Sequence, residues 1–379
     1  FTSEDRETFV DHVFSDLLSY RVYDADENLF FNDGNVGFLL ETPPIIGGDV
    51  FRTLQTAISS YCPSDGTIQF ISWASPNLTP NLDHWASKRH VQTPLMRKMV
   101  ERRITHFNDL RFGTNGHMKC VPHTRRILIS GWLDGDPSQS QLKALKEFRR
   151  NLILAFGGDT HCSNVQPNSF LELMSEMLHS RGSSSSDPLI YDEDVPLNYQ
   201  LPGAGLAVAR DGMSFLNTPE LSVSSATVRM VPREWNAALG ALFNGSPDRP
   251  DDNPHGPVLT SLTARSKPSR QSMSEVVGKR AKLEHAKSTN IGKYKSDLPE
   301  QDREYEDLQG QLERGERMFE TLTTVSAYAR VDVDDSTAAL SEMRKIYSMV
   351  GVSLEKDNFL QLPVFLSALP FQASGRRID

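Results

Sequence analysis

Two apolar runs that meet at an Asp-Gly pair constrain this chain most strongly, because they predict a β-hairpin. The runs lie within residues 29–40, on either side of Asn32-Asp33-Gly34. Asp-Gly readily takes the positive φ angle of a tight turn, and the residues around it are apolar enough to pair as strands. The chain therefore contains a β-sheet, and this hairpin is part of it.

Helical and strand-like patterns alternate along the rest of the chain. The alternation predicts an α+β fold with mixed sheets and packed helices, in two subdomains split near a serine-rich loop at residues 180–187. The predicted helices begin at Ser3 (to about Tyr20), Asp49, Pro94, Asp136 (to Gly157), near Phe170, Pro299 (through Leu322) and Asp335 (to Gly351). Further predicted strands cover residues 67–72, 126–130, 206–210, 213–215, 227–231, 258–262, 323–333 and 352–355.

These elements divide the chain into three parts. Residues 1–180 form an amino-terminal α+β subdomain. Residues 181–300 hold strands, the serine-rich loop and a basic stretch whose low apolar content predicts a mobile or partner-ordered arm. Residues 301–379 form a long helix followed by a compact β-α-β unit.

Charge is segmented, although the net charge of −9 is only moderately acidic. Residues 88–126 hold ten basic and two acidic residues, residues 265–295 hold nine and two, and residues 297–320 hold three and nine. The acidic segment is either a solvated face or the electrostatic complement of the basic arm. The first basic stretch is either a docking face for anionic partners or a solvated helix face. Its candidate contact residues are Arg89, Arg97, Lys98, Arg102, Arg103 and Arg111.

The sequence lacks the patterns of common catalytic centres. A nucleotide-binding P-loop needs Gly-x-x-x-x-Gly-Lys-Ser/Thr, because backbone amides cradle the phosphates while the hydroxyl holds Mg²⁺. Gly278-Lys279 and Gly292-Lys293 lack both the preceding glycine and the following hydroxyl. No Gly-x-Ser-x-Gly elbow or Gly-x-Gly-x-x-Gly fingerprint is present either. We therefore expect no catalytic residues, no nucleotide turnover and no cofactor in this chain.

A metal site is a minor alternative. His117, Cys120 and His123 could supply three ligands, with His161-Cys162 as partners, but the second pair is adjacent rather than spaced. We therefore expect ordinary loop and core residues there, and no metal. Three widely separated cysteines favour a reducing cytoplasm over a disulfide framework. No apolar run approaches the roughly 18 residues of a membrane span. The chain begins at Phe1 rather than Met, a helical pattern starts almost at once and no signal peptide is visible, so we expect a fragment of a longer protein.

Two stretches resemble the amino-terminal region of TraC-type proteins, the assembly ATPases of F-like conjugative type IV secretion systems. The first is Phe14-Ser-Asp-Leu-Leu-Ser-Tyr-Arg-Val-Tyr-Asp24 with the hairpin that follows it. The second is residues 325–370, with Gly351-Val352 and Leu366-Ser-Ala-Leu-Pro370. The resemblance is strongest over residues 10–160 and 318–370, and residues 180–300 could not be matched.

The resemblance implies a cytoplasmic protein, peripheral on the inner membrane through its partners, that powers pilus assembly and DNA or protein transfer. A RecA-like motor domain, with ATP and Mg, would hydrolyse the nucleotide and form hexamers. That domain is missing here, and residues 301–379 would lead toward it. This chain would be the docking and assembly half, which binds small inner-membrane channel subunits. A nucleic-acid-binding module that uses residues 88–126 and 265–295 is the alternative, and an enzyme with an unfamiliar site is a third.

Overall fold

The computed structural model describes residues 7–8, 14–44, 48–89, 93–110, 121–157, 161–178, 189–201, 205–216, 221–232, 243, 253–254, 256–288, 298–330 and 333–373. Its described strands belong to one large sheet. In chain order they are β1 (Glu7–Thr8), β2 (Tyr20–Asp24), β3 (Leu29–Asn32), β4 (Asn35–Thr42), β5 (Thr67–Ser75), β6 (Thr124–Asp134), β7 (Ser163–Asn164), β8 (Leu206–Val208), β9 (Met213–Phe215), β10 (Leu221–Met230), β11 (Val258–Ser266), β12 (Phe319–Arg330) and β13 (Ser353–Lys356).

The spatial order of the strands is β1-β8-β9-β10-β12-β11-β5-β6-β4-β3-β2, with β13 paired to β10 and β7 paired to β4. Every pairing among the described strands is antiparallel. The α+β class is confirmed, and the described pairing is antiparallel throughout rather than mixed. Strands from all three predicted parts share this sheet, and the division into parts stays a prediction.

Helices pack on both faces of the sheet. They are α1 (Gly48–Tyr61), α2 (Thr79–Ser87), α3 (Pro94–Leu110), α4 (Gln139–Ala155), α5 (Pro167–Met177), α6 (Leu197–Gln200), α7 (Ser269–Ser288), α8 (Leu298–Glu313), α9 (Val333–Met349) and α10 (Gln361–Ala368). The sequence patterns did not predict α2, because its nine residues carry a weak apolar stripe and none of them is buried.

Alternating side chains along β5 separate two cores. Ile71 and Trp73 point to the face that α5 and α10 cover, where Phe170 and Phe365 complete an aromatic-rich cluster. Ile68 points to the opposite face and joins the cluster that α1 and α4 cover. A third cluster lies under α9. This period-2 alternation explains why both faces of the central strands are apolar.

Several local predictions are confirmed. Strands β3 and β4 pair across Asp33 and Gly34, and Gly34 has a φ of +85°. Gly157, with a φ of +75°, follows the end of α4. That helix begins later than its acidic start signal predicted, because Ser138 and Gln141 form its capping box.

Two helix predictions are wrong in part. The predicted amino-terminal helix contains strand β1 and a short 3-10 helix (Phe14–Leu17), and β2 already begins at Tyr20. Residues 1–6 and 9–13 of it lie outside the described part of the chain. Helix α8 ends at Glu313, where Gly315 adopts a φ of +92°, and Phe319 begins β12. Phe319 and Leu322, which the prediction placed in the helix, belong to that strand, and Met318 precedes it.

Most of the described part of the predicted basic arm is a helix, and its first two residues belong to β11. Residues 269–288 form α7, which packs along α8. The two helices connect β11 to β12 along the chain. The serine-rich loop and residues 289–297 lie outside the described residues. The helix was not predicted because the apolar content of α7 is low, and its ion-pair partners lie on a helix later in the chain. The mobility of the arm stays a prediction.

The carboxyl-terminal residues of the described chain are anchored on its amino-terminal strands. Tyr20 donates a 2.9 Å hydrogen bond to the Pro370 carbonyl, and the Asn35 amide donates one of 3.1 Å to the Phe371 carbonyl. Gln372 donates to the hydroxyl of Ser19. The segment after α10 is therefore fixed against β2 and β4.

Candidate interaction surfaces

Two helical hairpins extend from opposite ends of the central strands. Helices α2 and α3 connect β5 to β6, whose last register pair is Ser75 with Thr124. Helices α7 and α8 connect β11 to β12, where Ser266 pairs with Phe319. Because β5 and β11 are antiparallel neighbours, these two connections leave the sheet at opposite ends. We call them the basic hairpin (α2, α3 and residues 88–89) and the charge-paired hairpin (α7 and α8).

The root of the basic hairpin is fixed by a carboxylate from a distant part of the sequence. Glu176 of α5 accepts hydrogen bonds from Ser75 Oγ (2.7 Å), Asn77 Nδ2 (2.8 Å) and Trp73 Nε1 (3.4 Å). These donors lie at the end of β5 and just before α2. A partly buried carboxylate with three such donors is well satisfied, so the hairpin leaves the sheet in a defined direction.

Arg126 is part of this root rather than of an open basic surface. Its guanidinium binds both carboxylate oxygens of Glu41, at 2.7 and 2.9 Å, and lies 3.9 Å from Glu176. Its neighbour Arg125 is half-buried, and burial lowers the pKa of the Arg125 guanidinium. The predicted basic stretch at residues 88–126 is therefore divided, and its last two arginines belong to the body.

Helix α3 is almost entirely exposed, although it is 17 residues long. Leu110 at its end is its only buried residue. At its start, Leu95 is 70%, Met99 62% and Met96 48% exposed. We call these three residues the apolar tip. A helix of this length normally buries an apolar stripe against the body, so the exposed stripe indicates a surface for contact with something else.

The described candidate residues Arg89, Arg97, Lys98, Arg102 and Arg103 all lie on the basic hairpin. Arg111 lies outside the described residues. The guanidinium of Arg89 lies 3.7 Å from the centre of the Trp85 ring, and that of Arg103 lies 5.2 Å from it. The Arg89 contact is local to the end of α2, and the Arg103 contact is the one that joins α3 to α2. Sequence reasoning missed Trp85 because the contact joins residues of two helices.

The other three cations, Arg97, Lys98 and Arg102, are exposed around the first turns of α3. They share those turns with the apolar tip, since Leu95 and Met99 lie one helical turn apart. The mixture of basic and apolar residues at the start of α3 is visible in the sequence. The sequence pattern does not show which of these apolar residues are exposed.

The charge-paired hairpin differs in character. Arg280 of α7 lies 3.6 Å from Asp302 and 3.8 Å from Glu306 of α8, and Lys287 lies 2.6 Å from Asp302. The hydrogen bond from Lys287 lowers the pKa of Asp302. Asp302 and Glu306 therefore act as electrostatic complements of the basic arm, which agrees with one of the two readings of the acidic segment. These cations already face carboxylates, which makes them poorly suited to binding phosphate.

A groove lies beside α1 on the face of the sheet that carries α1 and α4. It has a volume of about 990 Å³ and an apolar floor that includes Phe70, Ile127 and Leu262. Phe51 of α1 lines one side and is 53% exposed, while Leu262 is 40% exposed. Its size and apolar lining would suit side chains of a binding partner.

The described part of the chain contains two cysteines, Cys62 and Cys162, and the predicted metal ligands His123 and His161. No group of three or more His, Cys, Asp or Glu side chains within them could hold a metal ion. Of the predicted metal ligands, His117 and Cys120 lie outside the described part. Burial raises the pKa of the Cys62 thiol to about 12 and that of Cys162 to about 11, so both stay protonated near neutral pH. Every described helix is too short or too polar to span a bilayer.

A broad antiparallel sheet with two projecting helical hairpins is the architecture of an α+β protein that offers surfaces for binding. Residues 14–373 match the TraC protein family, and the chain belongs to that family. It is a component of conjugative type IV secretion. The resemblance read from the sequence is confirmed, and the match also spans residues 180–300, which the sequence reading could not place. No curated protein matches the chain.

Proposed function

We propose that this chain is the docking and assembly region of a conjugative type IV secretion ATPase. It binds other components of the secretion machine, at the cytoplasmic face of the inner membrane, and a motor domain of the parent protein hydrolyses ATP. The motor domain would bring the subunits into a hexamer. The partners are small inner-membrane channel subunits and further copies of the same protein.

The exposed helix α3 is the observation that supports this proposal most directly. It presents apolar and basic side chains together while only Leu110 is buried. The root network around Glu176 holds it on the sheet. A rigid mount and an uncovered contact surface are what a docking element needs, because little conformational entropy is then lost on binding.

Nucleic-acid binding is the second candidate, and the basic hairpin is the surface that favours it. The second basic stretch favours it less, since Arg280 and Lys287 are paired with acids of α8. DNA binding would fall steeply with salt, because counterions are released from phosphates. A measurement of DNA affinity at two salt concentrations distinguishes this function from protein docking.

The register of the sheet offers a matched test of docking. Ser75 and Thr124 pair at the root of the basic hairpin, so an Asn-Gly turn can replace residues 76–123. Ser266 and Phe319 pair in the same way, so the same turn can replace residues 267–318 as the control. Circular dichroism and a cooperative melt establish that each deleted protein folds.

Co-purification with the channel subunits in non-ionic detergent, with light scattering, then reads out docking. We expect the intact chain and the control deletion to form the complex, and the deletion of residues 76–123 to lose it. If the intact chain stays a monomer and binds no subunit, the docking function is wrong. If both folded deletions bind equally, the basic hairpin is not the docking element.

A further inference from the structure

The apolar tip of the basic hairpin has the chemistry of a membrane surface contact. Leu95, Met96 and Met99 are exposed at the start of α3, and Arg97, Lys98 and Arg102 are exposed in the same turns. Helices that lie at a bilayer interface combine an apolar face with lysine and arginine in this way. Apolar side chains enter the headgroup boundary while the cations stay with the phosphates.

The position of the tip fits such a contact. Helix α3 ends at buried Leu110 and contacts Trp85 of α2 through Arg103. Leu95 precedes Arg103 by eight residues, which is about 12 Å along a helix axis. The apolar tip therefore lies beyond the contact of α3 with α2. A projecting tip can reach a flat surface without bringing the body into contact with it.

Charge complementarity identifies the surface as anionic. The whole chain has a net charge of −9, so an anionic leaflet repels most of the molecule. The described part of the basic hairpin holds six cations, four in α3 together with Lys88 and Arg89, against three acids, Asp83, Glu101 and Asp109. Attraction would thus be concentrated at the basic hairpin, since Arg280 and Lys287 of the other basic stretch are paired with acids of α8, and it would orient the protein on the membrane.

We propose that the basic hairpin binds directly to the anionic phospholipid surface of the inner membrane. Leu95, Met96 and Met99 enter the headgroup boundary, and Arg97, Lys98 and Arg102 bind the lipid phosphates. This inference rests on the proposed docking function and adds lipid to its partners. A protein partner at the same residues is the competing occupant, and the experiment separates the two.

Flotation of the purified chain with lipid vesicles, without channel subunits, tests the inference. The probes are vesicles of mixed phosphatidylglycerol and phosphatidylcholine, and vesicles of phosphatidylcholine alone. We expect binding to the anionic vesicles only, and we expect it to weaken as salt approaches 1 M, where the screening length is about 3 Å. Equal binding to both vesicle types, or binding to neither, would overturn the inference.

Two variants and a matched control locate the contact. Met99→Glu should reduce partitioning at least about ten-fold, because it removes an apolar group and adds a repelled charge. The control Val277→Glu places the same change at a 48% exposed position of α7 and should leave partitioning unchanged. Replacing Lys98 by Gln should reduce partitioning about five-fold, as one cation near the surface is lost. If Met99→Glu binds like the unchanged protein, the apolar tip is not the contact.

The vesicle and co-purification experiments can contradict the lipid inference and the docking function separately. A chain that ignores vesicles but loses its channel-subunit complex on Met99→Glu, in detergent without lipid, carries a protein contact at the tip. That outcome overturns the lipid inference and supports the docking function. A chain that binds anionic vesicles but no subunit supports lipid binding and contradicts protein docking. Vesicle binding that DNA competes away would instead identify a general polyanion surface and overturn the lipid assignment.

Discussion

The carboxylate of Glu176 accepts a 2.8 Å hydrogen bond from the side-chain amide of Asn77, and this contact joins helix α5 to the root of the basic hairpin. The two residues lie 99 positions apart in the chain. Glu176 also accepts from Ser75 and faces Arg126. One partly buried carboxylate therefore determines how the hairpin leaves the sheet.

Substitution of that carboxylate tests its role. Glu176→Ala should lower the free energy of unfolding by about 2–3 kcal/mol, since Ser75, Asn77 and Trp73 lose their acceptor. Glu172 lies exposed on the same helix, and Glu172→Ala should change stability by less than about 0.5 kcal/mol. Urea unfolding of both variants measures the difference. Equal stabilities would mean that water satisfies the donors in place of Glu176.

If the ion pairs between α7 and α8 stabilise the charge-paired hairpin, reversing one charge should destabilise it, and reversing both members of a pair should restore its stability. Arg280→Glu places a third acid beside Asp302 and Glu306, so local stability of the hairpin should fall by up to about 1 kcal/mol, the range of exposed pairs. Hydrogen exchange at the α7 amides should become faster. The double exchange Arg280→Glu with Glu306→Arg should restore slow exchange, because it reverses one pair and leaves Asp302 bound to Lys287. Slow exchange in the single variant would show that packing, not charge, orders this hairpin.

Replacing glycine by alanine should have opposite effects on stability at two positions, Gly131 and Gly278. A Cβ at Gly131 would lie 2.5 Å from the ring of Phe38, which occupies the space opposite that residue in β4. Gly131→Ala should therefore cost about 1–3 kcal/mol through overpacking. Gly278 lies inside α7 with nothing within 4 Å of such a Cβ. Gly278→Ala should stabilise the protein by about 0.5–1 kcal/mol, because alanine favours helix. Thermal melts of both variants give the two signs.

Burial of Cys62 predicts a pH dependence. Its pKa rises from 9.0 to about 12, mainly by desolvation, so folding favours the protonated thiol. The resulting stability is complete below pH 9 and is lost as pH rises toward 12, since only the unfolded thiol ionises in that window. Unfolding measured across this range should show a loss that Cys62→Ala removes. A loss of the same size in Cys62→Ala would assign it to other groups.

The same burial predicts chemical protection. Near neutral pH the folded protein should alkylate more slowly at Cys62 than at half-buried Cys162, whose pKa is raised to about 11. Mass spectrometry after iodoacetamide treatment separates the two sites. Denatured protein, in which both thiols are accessible, provides the control. Faster reaction at Cys62 than at Cys162 in the folded protein would contradict its burial.

Local chemistry made part of this structure predictable. Gly34 and Gly157 end a strand and a helix because glycine tolerates positive φ, and these stops were readable from single positions. The β-α-β unit of β12, α9 and β13 was predicted for a similar reason, with Gly351 marking the end of its helix. The helix at residues 269–288 was not predicted, because its apolar content is low and its ion-pair partners, such as Asp302, lie on another helix.

Some residues of the candidate surface could likewise be predicted from the sequence, and others only the structure showed. The cations from Arg89 to Arg103 were found in the sequence, because a run of like charge is visible without a structure. The role of Glu176 and Glu41 at the root was not, since their partners are distant in sequence. Nor could periodicity show that Leu95 and Met99 are exposed, because an apolar stripe reads alike whether it is covered or open.

By itself, the sequence determined the turns, the helix stops, the α+β class and the segmentation of charge. Each depends on the conformational preferences or the charge of a few neighbouring residues. Only the tertiary structure decided that β5, β6, β11 and β12 lie side by side, and hence that the two hairpins extend from opposite ends of one sheet. Strand order is a long-range choice among pairings with similar local patterns, and it is settled by the packing of both faces at once.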